Sequence, residues 1–207
     1  MLSSCPGSFI SCIVPYPPYP MLITSLDSPE KIWPKLLGEL QQGVAEASHP
    51  FRYLTLATQG LHFPQVRTVV LREITSSLQL VVFTDFRSGK VSDLIEKPRA
   101  SLLFYHPTKK VQVRIKALAS VHAGDEFAQG YWRSLAAHNR KEYTSLLAPG
   151  TKLNGPEQGT AWNEKENFFT VIAFSPLSIE VLQLSKQGHL RLEFDQASAW
   201  QGKWLAP

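Results

Sequence analysis

Arg67-Thr68-Val69-Val70-Leu71-Arg72, followed at close range by Phe83-Thr84-Asp85-Phe86-Arg87-Ser88-Gly89-Lys90, organises the reading of the whole chain. The first block is β-branched in its middle and carries a cation at each end, so it reads as a strand that places Arg67 and Arg72 at its two ends. The second begins as a strand too, in the apolar run Leu80-Val81-Val82-Phe83-Thr84. Ser88-Gly89-Lys90 then opens a short amphipathic helix with Val91, Leu94 and Ile95 on one face, stopped before Pro98. A helix N-terminus beside Arg and Lys suits a phosphate. Free backbone N–H groups and the positive end of the helix dipole supply hydrogen bonds, and the cations supply the charge that offsets desolvation.

The composition around these blocks is that of a globular protein. At 207 residues and 43% hydrophobic, the chain can bury a substantial core and is expected to form one domain over residues 21–207. The net charge of +4 is dispersed instead of concentrated in a Lys/Arg run, which favours a small anionic ligand over a nucleic-acid polymer. Cys5 and Cys12 both lie in the N-terminal tail, so neither a disulfide framework nor a Cys-based metal site is expected in the body of the fold, and the two read as unpaired thiols. No run approaches the roughly 18 consecutive apolar residues of a membrane span. Residues 1–20 include Pro15-Tyr16-Pro17-Pro18-Tyr19-Pro20 and no Lys or Arg. Disorder is expected there, and the segment lacks the basic start of a secretory signal and the Arg-rich character of a transit peptide; a cytoplasmic location is expected. Met21, just ahead of the first helical periodicity, is a second candidate start of translation.

Ser28-Pro29-Glu30 reads as an N-cap with Pro at the first helical position, followed by Ile32, Trp33, Leu36, Leu37 and Leu40 at helical spacing. From Phe51 the period changes to two, predicting strands near 52–58, 65–73, 78–84, 100–106 and 110–121. Residues 124–148 turn helical, with Phe127, Tyr131, Trp132, Leu135, Tyr143, Leu146 and Leu147 as apolar positions, until Pro149-Gly150. A polar loop reaches about Asn167, and strands resume at 168–174, 177–184, 188–195 and about 200–204. The pattern predicts a mainly β fold with flanking helices, a barrel or a meander.

With these blocks in place the chain resembles the pyridoxamine 5'-phosphate oxidase family of flavoproteins, whose fold is an FMN-binding split β-barrel. Leu56-Ala57-Thr58 and then Pro64-Gln65-Val66-Arg67-Thr68-Val69-Val70-Leu71-Arg72 follow the family's P-x-x-R-x-V-L-L-K. Phe83 to Lys90 follow Y-T-N-x-x-S-x-K, Gln112-Val113-Arg114-Ile115 follow Q-V-R-V, His189-Leu190-Arg191 resemble H-D-R, and Trp204-Leu205-Ala206-Pro207 resemble the closing R-L-x-P. The resemblance implies that Arg67 and Lys90 hold the FMN phosphate, with Phe83-Thr84 and the Ser88-Gly89 turn beside it. It implies that Thr68, Val69, Val70 and Leu71 run along the isoalloxazine ring, that Arg72 replaces a Lys near substrate, and that Gln112 and Arg191 reach the flavin from neighbouring elements. It also implies a homodimer with FMN at the interface, so that a monomer presents half a site. His189 is the candidate proton donor.

The departures lie on the substrate side. Gln187 stands where the family has an Arg two residues before the His, Leu182 where a flavin-stacking Trp is expected, and Tyr131-Trp132-Arg133 only loosely matches Y-F-x-x-R-P. Trp132, Arg140, Tyr143, Pro149-Gly150 and the C-terminal residues resemble a cyanobacterial and plant branch of FMN-binding relatives. The expected function is an FMN-dependent oxidoreductase acting on a small molecule, pyridoxamine or pyridoxine 5'-phosphate being the named candidates. The alternatives are a flavin-binding or sensing protein with little turnover and, with least support from the charge, a barrel turned to nucleic acid. His49, His62, His106, His122 and His138 show no metal-ligand spacing, and no metal is expected. Trp162, Trp200 and Trp204 read as core or dimer-interface aromatics, any one of which could cap the flavin.

Overall fold

The structure is a computed structural model that describes residues 20–159, 161–163 and 165–207. The expectation of a disordered tail over residues 1–20, and that of free thiols at Cys5 and Cys12, lie outside the described residues apart from Pro20.

Helix α1 (Pro29–Ala45) starts as expected, with Ser28 extended and Pro29 at the first position, and it continues through Pro34. It buries Ile32, Leu36 and Leu40. A 3-10 turn over Pro50–Arg52 then feeds β1 (Tyr53–Gln59), which forms an antiparallel hairpin with β2 (Pro64–Val70). The short β3 (Glu73–Ile74) pairs with β4 (Leu80–Asp85). After α2 (Gly89–Glu96) come β5 (Arg99–His106) and β6 (Val111–His122), then α3 (Glu126–Ser134) and α4 (Ala137–Arg140). The chain ends with β7 (Phe169–Gln183), β8 (Leu190–Asp195) and β9 (Gln201–Leu205).

The nine strands of the described residues belong to one sheet with the path β2-β1-β5-β6-β7-β4-β3, and β8 and β9 extend from β7. The path begins with β2 and ends with β3, which are consecutive in the chain. The sheet must therefore curl until its two edges are joined by Leu71 and Arg72 alone. Leu71 N donates to Arg52 O on one side and Arg72 N to Val81 O on the other, both at 2.9 Å. Residues pointing into the curl alternate as a period-two pattern requires: Leu54, Leu56 and Thr58 of β1, Leu102 and Phe104 of β5, Val113 and Ile115 of β6 are buried. They pack with α1 and with Val91 and Leu94 of α2 into the main core.

Three sequence expectations are corrected. The strand expected over 65–73 ends at Val70, because the backbone changes partner at Leu71. Residues 168–174 and 177–184 form one strand, β7, which pairs with β4 through residues 169–174 and with β8 through 178–183. Pro176 falls where that edge is vacant and beside a register shift between Lys116 and Ala117, so its missing N–H lies where the ladders are already interrupted. The helix expected over 124–148 is α3, α4 and a 3-10 turn at Lys141–Tyr143, with irregular chain from Thr144. Phe127, Leu146 and Leu147 are exposed; the ring that is buried is Tyr143. It joins Val81, Phe169 and Val171 in a second core beneath α3, so β4 and the first half of β7 are covered on both faces.

Trp200, at φ 61°, turns its indole onto Trp33, 5.3 Å away and nearly parallel, which ties the C-terminal hairpin to α1. At its other end α1 is held by a buried polar cluster. Glu39 Oε1 lies 3.0 Å from His49 Nε2 and 3.5 Å from His106 Nε2, and Lys109 Nζ donates to Glu39 Oε2. Burial pushes the His106 ring below its usual pKa of 6.5, with Lys109 and His49 acting in the same direction against Glu39.

The unfolded chain therefore takes up a proton near pH 6.5 that the native His106 resists, so stability should be full above that value and decline as pH falls below it. Denaturant midpoints measured from pH 7.5 to 5 should drop for the native protein and drop less for His106→Gln. Gly43 provides a second test, because a Cβ there would meet Phe51 O at 2.7 Å. Gly43→Ala should destabilise by about 1–3 kcal/mol despite the better helix former, a loss read as a lower denaturant midpoint.

Candidate functional site

The curl of the sheet brings the two cation-bearing blocks together. Arg67 on β2 is paired with Leu56 and shares its inward face. Thr84 comes from the inward face of β4, and Ser88 and Lys90 from the start of α2. Lys90 Nζ donates to Thr84 Oγ1 at 2.8 Å and to Ser88 Oγ at 3.1 Å. Arg67 Nη1 donates to Thr58 Oγ1 at 2.6 Å, Thr58 Oγ1 donates to Asp93 Oδ2 at 2.6 Å, and Arg67 Nη2 stands 3.6 Å from the same carboxylate oxygen. Burial pushes the Lys90 ammonium below its ordinary pKa of 10.5, and repulsion from Arg67 adds to this against Asp85. Burial also lowers Arg67, with Asp93 opposing. Two half-buried cations thus sit near one another with incomplete compensation, the electrostatic condition that an anion would relieve.

The groups around them are suited to phosphate oxygens. Ser88 has extended backbone angles and does not cap α2 with its side chain, leaving first-turn N–H groups uncapped by it. A Cβ built on Gly89 meets nothing within 4 Å, so the approach is open. Among the described residues β2 pairs with β1 and no other strand, and as an edge strand it directs half of its backbone groups away from its partner. Arg87 has a different task. It grips Asp85 through Nε and Nη2 at 3.1 and 2.7 Å, stacks 3.4 Å over the Phe168 ring and donates to Ser145 O, fastening the loop that follows Tyr143.

The remaining expected residues lie elsewhere. Phe83 points to the other face of β4, against Tyr131 and Phe169, with Arg72 over its ring at 5.6 Å. Tyr131 is pushed up to about 12 by burial and then by Glu73. Leu71 is a core residue. Gln112 pairs with Leu182, which pairs with Arg191, and this row lies on the outward face of the sheet. His189 is exposed in the β7–β8 turn, where its Nδ1 accepts from Ser185 N at 3.2 Å. One chain therefore unites Arg67, Thr84, Ser88, Gly89 and Lys90 but holds Gln112, Arg191 and His189 apart from them. A 460 Å³ cleft lined by Phe86, Gln129, Trp132, Phe168 and Phe169 lies beside α3 and contains none of the cradle residues.

Sequence reasoning passed over Thr58, Asp93, Arg114 and Glu180. The signals for the first two were the Leu56-Ala57-Thr58 block and the position of Asp93 one helical turn after Lys90. Histidine spacing likewise gave no sign that the fold would gather Glu39, His49 and His106, whose ligand-type atoms lie within 4.8 Å of one another. Phe51 N and Lys109 N donate to the Nδ1 atoms of His49 and His106. That fixes the proton of each neutral ring on Nε2, facing Glu39, so the cluster is a hydrogen-bonded staple and its Nε2 lone pairs are not offered to a metal.

Residues 30–123 match the family described as pyridoxamine 5'-phosphate oxidase, FMN-binding domain. A pyridoxine/pyridoxamine 5'-phosphate oxidase of Acinetobacter baylyi is 33% identical over 146 residues, which cover 68% of this chain and 61% of that protein. The chain thus spans about three fifths of that relative's length. One from Psychrobacter cryohalolentis is 26% identical over 169 residues, 79% of this chain and 73% of that protein. Among solved structures, a pyridoxamine 5'-phosphate oxidase-related, FMN-binding protein from Nostoc punctiforme superposes with a TM-score of 0.69 at 21% identity, covering 83% of this chain and 95% of the other. PhzG from Burkholderia lata, solved with tetrahydrophenazine-1-carboxylic acid, gives 0.67 at 20% identity, covering 91% and 97%. These two establish the split-barrel fold.

The lowered Lys90 loses its proton, and with it its charge toward an anion, at a lower pH than an ordinary lysine, so FMN affinity should decline as pH approaches the ordinary lysine value of 10.5. Quenching of FMN fluorescence on titration with protein measures this, and Lys90→Arg should hold the affinity level over the same range.

Proposed function

This chain belongs to the pyridoxamine 5'-phosphate oxidase-like FMN-binding family, and from that premise we propose that it is an FMN-dependent oxidoreductase which holds the FMN phosphate in the Arg67–Lys90 cradle. The observation that carries the reading is the meeting, inside the curl of the sheet, of Lys90 with the hydroxyls of Thr84 and Ser88 and of Arg67 with Thr58. Bound FMN supplies hydride and electron transfer. Arg67 and Lys90 contribute charge-assisted hydrogen bonds, the start of α2 contributes backbone donors, and the free edge of β2 at Thr68, Val69 and Val70 offers amides and carbonyls to the ring's polar rim.

Gln112 and Arg191, on the opposite face of the sheet, act in this reading on the FMN of a second copy. Tyr53, Val66 and Tyr105 are exposed on that same face, an apolar surface that suits a homodimer. The substrate is a small molecule, with pyridoxine or pyridoxamine 5'-phosphate favoured by the names of the sequence relatives. A cytoplasmic setting completes the reading, and no helix among the described residues is long and apolar enough to cross a membrane. The second reading, a flavin-binding protein with little turnover, is favoured by Gln187 and Leu182 in place of the family's Arg and Trp, and by His189 spending its Nδ1 on a turn.

Titration of the full chain with FMN should give a saturable quench, and Arg67→Ala should weaken it by about tenfold to a hundredfold, as expected for loss of a charge-assisted bond. Adding pyridoxamine 5'-phosphate without oxygen should then bleach the flavin bands. Bound flavin that stays yellow would favour the second reading, and equal affinity in Arg67→Ala would remove the cradle assignment.

A further inference from the structure

Adjacent strands on the outward face carry Arg114 of β6, Glu180 of β7 and Arg191 of β8. Arg114 and Glu180 are registered partners, and one carboxylate oxygen, Glu180 Oε2, accepts from Arg114 Nη2 at 2.6 Å and Arg191 Nη2 at 2.8 Å. Glu180 is buried, whereas both arginines remain partly exposed. Burial raises the Glu180 carboxyl, but hydrogen bonds from Arg191 and Arg114 outweigh it and keep the group charged. The Nε atoms of Arg114 and Arg191 are buried and have no hydrogen-bond partner. Gln112 lies in the same row as Arg191.

A buried carboxylate is a poor choice for stability alone, since an apolar side chain of similar volume usually serves as well or better. Its effect here is orientation. We propose that Glu180 is a positioning residue of the flavin site: by sharing its carboxylate between Arg114 and Arg191 it fixes the Arg191 guanidinium on the outward face, in the cross-strand row of Gln112 with Leu182 between them, preorganised for the FMN held in the cradle of a second copy of the chain. This rests on the function proposed above. An arginine loses much rotamer freedom when it docks, and a guanidinium already held by Glu180 has lost that freedom before FMN arrives. With two cations on one anion, the trio also keeps a net positive charge to present.

The test is FMN affinity of the full-length protein, by fluorescence quenching, in E180Q, E180M, E180D, R191A and the double variant E180Q/R191A, with apoprotein melting temperature and oligomeric state measured alongside. E180Q and E180M should each weaken FMN by about tenfold, and E180D should recover part of the loss. E180M controls for packing, because it should melt no lower than the native protein. Since Glu180 acts through Arg191, E180Q should add nothing in the R191A background. Native affinity in both E180Q and E180M, or a full additional loss in the double variant, would overturn the positioning role. Arg67→Ala separates the two levels: weak binding there with native E180Q defeats only this inference, while native affinity in both defeats the cradle reading as well.

Discussion

The join at Leu71-Arg72 is the constraint on which the site depends. Two residues cannot span a gap between distant strands, so the sheet that starts at β2 and ends at β3 has to curl until its edges meet. That curl sets Arg67, on the first strand of the path, against Lys90, which follows the next-to-last. β7 makes the curl possible by giving one edge to β6 and dividing the other between β4 and β8. The interruption at Pro176 and the shift at Lys116/Ala117 fall where that division occurs, which is where a sheet bends at least cost to its ladders.

Three of the buried polar clusters carry charge, and each is differently balanced. The Glu39 staple pairs one carboxylate with Lys109 and the Nε2 atoms of two histidines, so its hydrogen-bonding groups face one another and it anchors α1. The Glu180 trio sets two cations on one anion. The cradle sets Arg67 and Lys90 against Asp93, with Asp85 occupied by Arg87. Only the last two leave positive charge over, and they lie on opposite faces of one sheet.

The cradle was legible because its residues are short-range features. Ser88-Gly89-Lys90 announces a helix start, and the ends of a β-branched run announce Arg67, so local patterns name the cations without any knowledge of the fold. Thr58 and Asp93 were missed because their role exists only after β1, β2 and α2 converge. His49 and His106 were missed for the same reason, being brought to Glu39 by the packing of α1 on the barrel. The two-strand reading of β7 failed at Pro176, since the rule that proline ends a central strand presumes an intact ladder on both sides. The long helix at 124–148 failed because its apolar spacing served a second core through Tyr143 while Leu146 and Leu147 remained exposed.

By itself the sequence determined the mainly β architecture, the helix that opens at Pro29, the phosphate-suited start of α2 and the family to which these blocks belong, all properties carried by local periodicity, turn chemistry and ordered motifs. Only the tertiary structure decided that Arg67 and Lys90 share one inward-facing site, that Gln112 and Arg191 face the other way, and that Glu180 holds Arg114 and Arg191 together. Those facts depend on strand order and on the parity of each residue along its strand. A one-residue change of register reverses a side chain's face without altering the composition of its neighbourhood in sequence, so such facts become fixed only when the whole sheet has paired and curled.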